Sequence, residues 1–238
     1  MNILLMMMGG SGTRFGADIP KQYILVNGCP IFSYILEGYQ NCDFIDMMVV
    51  VTHKDWTDYV EEWKDKLNLD KLKIITNGGG TRSESVLNGL RSLEGTASEK
   101  DVILIHDATH PYVDVEGTKK IIEAVKKYGG ATLGQCQYDT VYQMNEETNM
   151  LEKVIPRQQI VSGASPEAFF YGDIHRIYTE STMEELEQMT SAGAIALAHD
   201  IRMQVIPAEV LNLKITYKKD MDVFLQMIHQ YFPGKSGK

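Results

Sequence analysis

Cysteine is scarce in this chain. Cys29, Cys42 and Cys136 are the only three in 238 residues, and no two of them stand in CxxC spacing. An odd count without that spacing argues against a disulfide framework or a zinc site and fits a reducing compartment. Long apolar runs are missing as well: Ile3 to Met8, the longest near the start, falls far short of the roughly 20 residues that span a bilayer. Neither a basic flank nor a cleavage site marks the start, so the mature chain is expected to begin here, in the cytoplasm and with no membrane partner. Positive charge is in deficit. Lys and Arg number 23 against 32 Asp and Glu, a formal charge of −9, which disfavours a nucleic-acid backbone as partner. What remains is a chain with 44% apolar residues, evenly spread and long enough to bury a sizeable core. Any anionic ligand must be held by a local cluster of cations and backbone amides.

Short β-rich runs alternate with helical patterns over the first 136 residues. Strands are expected at Asn2 to Met7, Ile45 to Thr52, Leu72 to Thr76, Asp101 to His106 and Ala131 to Cys136. Helices are expected at Pro30 to Tyr39, Trp56 to Leu67, Arg82 to Leu93 and Val115 to Lys127. Such alternation predicts an α/β fold, a Rossmann-like and mostly parallel sheet with helices on both faces. Its ligands belong outside the carboxyl ends of the strands, near the switch point. Thr140 to Met144 and Leu151 to Ile155 flank the polar turn Asn145-Glu-Glu-Thr-Asn149, which predicts a protruding hairpin. Helices follow near Tyr171 to Thr179 and Met183 to Ala198, then strands near Met203 to Pro207 and Leu211 to Thr216, and a closing helix from Lys219 to Gln230. No repeat or composition break divides the chain, so residues 1–238 read as one domain with an arm at about 138–156.

Chemistry is concentrated in Met8-Gly-Gly-Ser-Gly-Thr-Arg-Phe-Gly16, directly after the first strand, with Pro20-Lys21-Gln22 beyond it. Glycines let a backbone turn sharply and aim several N–H groups at one anion. Arg14 and Lys21 add two cations to the same loop. The spacing is neither GxGxxG nor GxxxxGK[ST], so dinucleotide oxidoreductase chemistry is disfavoured; nor does an acidic residue end the second strand at Thr52, where a ribose would be gripped.

Four segments together resemble one family. Gly10-x-Gly12-x-Arg14-x-Gly16 with Pro20-Lys21-Gln22 is similar to the signature loop of nucleotidyltransferases that join a sugar or polyol phosphate to a nucleoside triphosphate. Gly78-Gly-Gly-Thr-Arg-Ser-Glu-Ser-Val86 resembles the Gly-Gly-x-x-Arg-x-x-Ser-Val of the cytidylyltransferases in this group. His106-Asp-Ala-Thr-His-Pro111 resembles their His-Asp-Ala-x-Arg-Pro, and Asn212-Leu-Lys-Ile-Thr216 with Asp220 their Asn-Ile-Lys-Val-Thr…Asp. All four occur in family order across almost the whole chain. Two branches fit, the ribitol 5-phosphate and the 2-C-methyl-D-erythritol 4-phosphate cytidylyltransferases. Asp139-Thr-Val, Val154-Ile-Pro-Arg157 and the Asp55-Trp56 pair lean towards the ribitol branch.

The resemblance implies transfer of CMP from CTP to a polyol phosphate, most simply D-ribitol 5-phosphate, with release of pyrophosphate. It implies charge neutralisation at the phosphates by Arg14 and Lys21, and an acceptor phosphate positioned by Arg157 and Lys214. The nucleotide would lie against Met7, Met8, Gly9, Gly10, Ser11, Gly12 and Thr13. Gly79, Gly80, Thr81, Arg82, Ser83, Glu84, Ser85 and Ala108 would complete its site. Asp107 would hold Mg²⁺ between the phosphates, since hard cations take carboxylate and phosphate oxygens; a turn-forming Asp is the competing reading. His110, Asp139 and Thr140 would face the acceptor. His106 reads as scaffold rather than base, and His53, His175, His199 and His229 as structural. The family also implies a homodimer through the hairpin arm.

Several positions depart from the pattern. His110 stands where the family has Arg, Ala164-Ser-Pro-Glu167 replaces Gln-Thr-Pro-Gln, and Thr190-Ser-Ala192 replaces Thr-Asp-Ala with the loss of a carboxylate. Because these changes cluster on the acceptor side, methylerythritol phosphate as acceptor and a catalytically silent nucleotide-binding protein both stay open at this point.

Overall fold

The structure, a computed structural model, describes residues 1–10, 15–17 and 19–232. Its strands are β1 (Asn2–Met8), β2 (Leu25–Val26), β3 (Cys29–Pro30), β4 (Met47–Thr52), β5 (Leu72–Asn77), β6 (Val102–Asp107), β7 (Gly129–Cys136), β8 (Val141–Met144), β9 (Leu151–Ile155), β10 (Val161–Phe170) and β11 (Arg202–Pro207). Its helices are α1 (Ile31–Gln40), α2 (Thr57–Lys66), α3 (Arg82–Arg91), α4 (Val115–Tyr128), α5 (Tyr171–Glu180), α6 (Met183–Glu187), α7 (Ala192–Ala198) and α8 (Lys218–Tyr231).

Seven strands form the central sheet in the order β11-β7-β10-β6-β1-β4-β5. Only β10 runs antiparallel to its neighbours; the other pairings are parallel. The inner strands β1, β4 and β6 are apolar almost throughout because both faces are covered, and strict alternation assigns each residue to a face. Leu4, Met6 and Met8 of β1 join Val102 and Leu104 of β6 under α1, α2 and α4. Ile3, Leu5 and Met7 join Ile103 and Ile105 under α3, α5, α6 and α7. A third apolar cluster packs α8, through Phe224 and Ile228, against Tyr34, Tyr112 and Ile215. None of the described helices is long and apolar enough to cross a membrane.

Three expectations need correction. Strand β10 is missing from the expected elements; Gly163 and Pro166 interrupt a strand pattern, and a register shift between Ala164 and Glu167 lets the strand carry that proline. Leu211 to Thr216 is no strand. Its backbone is committed elsewhere: Ile215 N–H donates to Thr109 C=O at 2.8 Å, and Thr216 N–H to Asp220 at 2.8 Å. The helix expected from Met183 to Ala198 breaks in two, because Ser191 accepts the Ala194 N–H and starts α7 afresh. The hairpin is present as the separate two-stranded pair β8 and β9, with Tyr142 opposite Val154.

Candidate active site

Chain order reverses at β1: β4 and β5 lie on one side of it and β6 on the other. At the carboxyl ends of these strands a cleft of about 560 Å³ opens, lined by Met7 to Gly10, Lys21, Gln22, His53, Gly79 to Arg82, Ser85, Asp107 to Thr109 and Lys214. That is the crevice in which open α/β sheets bind ligands.

The first wall is the turn after β1. Gln22 donates its amide to Met8 C=O at 2.7 Å and to Gly10 C=O at 2.8 Å. Tyr23 adds its hydroxyl to Met8 C=O at 3.1 Å, and its ring stacks on Trp56 at 4.1 Å. Pro20-Lys21-Gln22-Tyr23 thus braces the start of the glycine turn from outside. Lys21 is buried to 8% exposure and lines the cleft, its stem packed as a long cationic side chain packs when only its head is needed. Ser11, Gly12, Thr13 and Arg14 lie outside the described residues.

The second wall is the turn between β5 and α3. Gly78 N–H donates to Thr52 C=O at 2.8 Å, tying it to β4. Thr81 caps α3 by accepting from Glu84 N–H at 3.1 Å. Ser85 Oγ donates to Thr81 C=O at 2.8 Å and accepts from Gly79 N–H at 3.0 Å, while Glu84 accepts from Gly80 N–H at 2.6 Å. A Cβ at 79 would stand 2.2 Å from the Glu84 side chain, so any other residue there would have to displace the glutamate that holds the Gly80 N–H. Ser83 faces the other way, donating to Leu186 C=O at 3.1 Å, and does not line the cleft.

The floor is the end of β6. Alternation places His106 and Asp107 on opposite faces. His106 is fully buried on the α1 side: Nε2 donates to His110 C=O at 2.8 Å, so Nδ1 accepts the Tyr39 hydroxyl at 2.9 Å. Burial holds its pKa down at about 4. A neutral imidazole with both nitrogens taken is scaffold, as expected. Asp107 faces α3, where Arg82 reaches its Oδ1 with Nη2 at 3.0 Å and Nε at 3.3 Å. Lys214 approaches Oδ2 at 3.8 Å. Burial alone would raise Asp107, but Arg82 and then Lys214 keep it below the ordinary carboxylate value. Lys214 owes its place to Ile215, buried on one side and bonded to Thr109.

The described lining residues include three cations, Lys21, Arg82 and Lys214, and one carboxylate, Asp107, in a protein of net charge −9. No group of three or more His, Cys, Asp or Glu among the described residues is built to hold a metal. A single carboxylate fits Mg²⁺, which takes one or two protein carboxylates and completes its shell with phosphates and water.

Other expected residues lie apart. Arg157 is exposed at the arm's base, where it donates to Tyr138 C=O, and neither it nor Asp139 nor Thr140 lines the cleft of its own chain. His110 is buried beside Asn212 in a small neighbouring cavity, and burial lowers its pKa to about 3, so it carries no charge for a phosphate. His53, expected to be structural, lines the cleft instead, as does Thr109. Both positions follow a strand end, the only sequence signal that could have found them.

The comparisons agree with this geometry. A family model described as IspD, 2-C-methyl-D-erythritol 4-phosphate cytidylyltransferase, matches residues 2–229. A ribitol-5-phosphate cytidylyltransferase of Streptococcus agalactiae serotype Ia is 29% identical over 94% of both chains. A 2-C-methyl-D-erythritol 4-phosphate cytidylyltransferase of Geobacter metallireducens is 31% identical over 94% of this chain and 96% of its own. The solved 4-diphosphocytidyl-2C-methyl-D-erythritol synthase of Anaerococcus prevotii shares the fold, with a TM-score of 0.76 at 22% identity over 95% of this chain and 98% of that one. With its glycine turns, its charged floor and a match that runs almost end to end, the chain belongs to the IspD family of cytidylyltransferases.

Proposed function

We propose that this cytidylyltransferase transfers CMP from CTP to D-ribitol 5-phosphate, giving CDP-ribitol and pyrophosphate. The observation that carries the reading is the cleft itself: two glycine turns and three cations line it at the sheet's switch point, and two of the cations, Arg82 and Lys214, reach Asp107. An oxygen of the acceptor phosphate attacks the α-phosphorus of CTP. The new P–O bond forms as the bond to the bridging oxygen breaks, and pyrophosphate leaves with that electron pair. Positioning and charge neutralisation dominate such transfers. Lys21, with Arg14 on the same loop, would offset charge growing on the α- and β-phosphates. Asp107 would hold Mg²⁺, which when bound neutralises phosphate charge. No base is needed, because the attacking phosphate is already ionised near neutral pH.

The ribitol branch is favoured over methylerythritol phosphate by Asp139-Thr-Val, Ile155-Pro-Arg157 and Trp56, the last packed on Tyr23 beside the first glycine turn. Arg157 would act in a dimer. The arm leaves Tyr142, Met144, Leu151 and Val154 exposed, and an isolated two-stranded hairpin is marginal in water. A second copy is the economical cover, and it would bring Arg157 to the partner's cleft. The free thiols of Cys29, Cys42 and Cys136 suit work in the cytoplasm. Calorimetry comparing CTP with ATP and GTP in the presence of Mg²⁺ tests the nucleotide assignment: CTP is expected to bind more tightly, and equal affinities would contradict it.

A further inference from the structure

His53, the first residue past β4, lines the cleft yet belongs neither to the glycine turns nor to the charged floor. Parallel register places it. Met8 pairs with Thr52, and Thr52 with Asn77, so the next residues along the three strands are Gly9, His53 and Gly78. The two glycine turns come close here: a Cβ at Gly9 would stand 3.6 Å from Gly78 Cα. Neither glycine has a side chain, so the imidazole is the one side chain at this level of the three strands. Thr52 is buried and turns its hydroxyl to Tyr23 at 2.6 Å. His53, extended at φ −75° and ψ 141°, follows it to the opposite side, into the cleft that Arg82 and Ser85 also line.

One hydrogen bond decides what the ring offers. His53 Nδ1 accepts the Asp55 N–H at 3.3 Å and so caps the single 3₁₀ turn Lys54–Trp56. The same turn is held independently of the ring, because His53 C=O accepts the Trp56 N–H at 2.9 Å and Trp56 stacks on Tyr23. With Nδ1 accepting, a neutral imidazole carries its proton on Nε2. Nε2 has no hydrogen-bond partner among the described residues, and the exposed Asp55 carboxylate lies by Nδ1, at 3.4 Å. The cleft is thereby given one N–H donor on its β4 side. Register shows what can meet it. Met7 stands opposite both Val51 and Asp107, so His53 is two strands across and two residues along from Asp107, about 10 Å by about 7 Å. Lys214 lies with Asp107 on the β6 side and draws the phosphates there. The part of a nucleotide that reaches the β4 side, between the glycine turns, is the nucleoside.

We infer that His53 binds the nucleoside half of CTP, its Nε2–H donating to an acceptor atom of cytidine. The inference rests on the cleft being the CTP site. Cytidine has no charge to attract, so the contact contributes affinity and orientation and takes no part in the chemical step.

The test separates the ring's two nitrogens. Asn is a good capping residue, so His53→Asn keeps an acceptor for the Asp55 N–H and loses the donor into the cleft. His53→Gln does the reverse, since its longer amide carries an N–H to about where Nε2 stands. Calorimetry at pH about 8, above the ordinary histidine value of about 6.5, measures CTP directly, and CMP and inorganic pyrophosphate by displacement of CTP. Pyrophosphate release at saturating acceptor gives KM and kcat, and thermal melts follow folding. His53→Ala and His53→Asn are expected to weaken CTP and CMP alike, about three- to tenfold, the scale of one hydrogen bond. KM for CTP should rise with kcat unchanged, the mark of uniform binding. His53→Gln is expected within about twofold of wild type, and pyrophosphate affinity should be the same in all three. The opposite order, His53→Asn at wild-type affinity and His53→Gln weakened, would overturn the inference and leave the ring as a cap. Loss of pyrophosphate affinity in step with CTP would place the ring on the phosphates and overturn it equally, as would wild-type CTP affinity in His53→Ala. Wild-type protein that fails to bind CTP contradicts the functional reading itself, a result that no comparison among the variants can imitate.

Discussion

Arg82 grips Asp107 with two nitrogens on one oxygen, Nη2 at 3.0 Å and Nε at 3.3 Å, joining the first turn of α3 to the last residue of β6. Lysine is a point charge and cannot reproduce that fork. Arg82→Lys and Arg82→Ala are therefore both expected to lower kcat/KM for CTP on the order of 10²-fold, the scale for losing a preorganised charge contact. Steady-state kinetics with saturating acceptor checks this, and near-normal turnover by Arg82→Lys would show that charge alone suffices.

Helix α3 can hold Arg82 there because it lies close on the sheet. A Cβ at Gly89 would stand 2.6 Å from Leu5 Cδ1 and 2.7 Å from Val51 Cγ2, in a fully buried layer. Ala is the better helix former by about 1 kcal/mol, but overpacking a core costs about 1–3 kcal/mol. Gly89→Ala is expected to destabilise on balance and to shift α3, so its thermal midpoint and its CTP affinity should fall together. An unchanged or higher midpoint would mean that the layer has slack.

Acid should unfold the protein partly through two histidines. Burial, above all, lowers His106 to about 4 and His110 to about 3 from an ordinary 6.5. In the unfolded chain both take up a proton as pH falls through about 6.5; in the folded chain they do not until about 4 and about 3. The unfolded state binds more protons across that window, so stability is fully present above it and is lost as pH falls. Glu167, raised by burial, works in the opposite sense, which is why a difference between two proteins is the cleaner readout. Between pH 7 and 5, the unfolding free energy of the wild type from urea melts should fall more steeply than that of His106→Asn, by at most about 1.4 kcal/mol per pH unit. Parallel slopes would contradict a neutral, buried His106.

Arg157 lies outside its own cleft, bonded to Tyr138 C=O at the arm's base. If the arm completes a neighbour's site, inactive Lys21→Ala and inactive Arg157→Ala proteins should complement after subunit exchange. A mixed dimer then carries one doubly defective site and one intact site, and roughly a quarter of the wild-type rate returns, half of the dimers being mixed. A mixture that stays dead places Arg157 in cis, and a monomer by sedimentation at micromolar concentration removes the premise.

The strand–helix alternation was legible because β1, β4 and β6 are apolar on both faces, and the other strands but one still stand out as β-rich runs bounded by turn residues. The exception, β10, hides behind Gly163 and Pro166, and its place between β6 and β7 is a matter of sheet order that no local pattern encodes. The glycine turns, Lys21, Asp107 and Lys214 were legible as motif positions, and the cleft brings those within the described residues together. The Arg82–Asp107 grip was not. It joins residues 25 apart and exists only because α3 covers the face onto which Asp107 alternates. Ser83 and Glu84 were misplaced for a related reason: consecutive helix residues point about 100° apart, so Arg82 and Ser85 line the cleft while Ser83 turns to Leu186 and Glu84 bonds the Gly80 N–H.

Turnover is the most direct test of the central claim. Purified protein is incubated with CTP, Mg²⁺ and either D-ribitol 5-phosphate or 2-C-methyl-D-erythritol 4-phosphate, and pyrophosphate and the CDP-polyol are both measured. The account predicts stoichiometric pyrophosphate and CDP-ribitol, with kcat/KM for ribitol 5-phosphate at least about tenfold above that for the branched acceptor, the scale of a misfit of one or two carbon atoms in a pocket. Preference for methylerythritol phosphate would contradict the acceptor assignment, and no pyrophosphate with either acceptor would contradict the cytidylyl-transfer account as a whole.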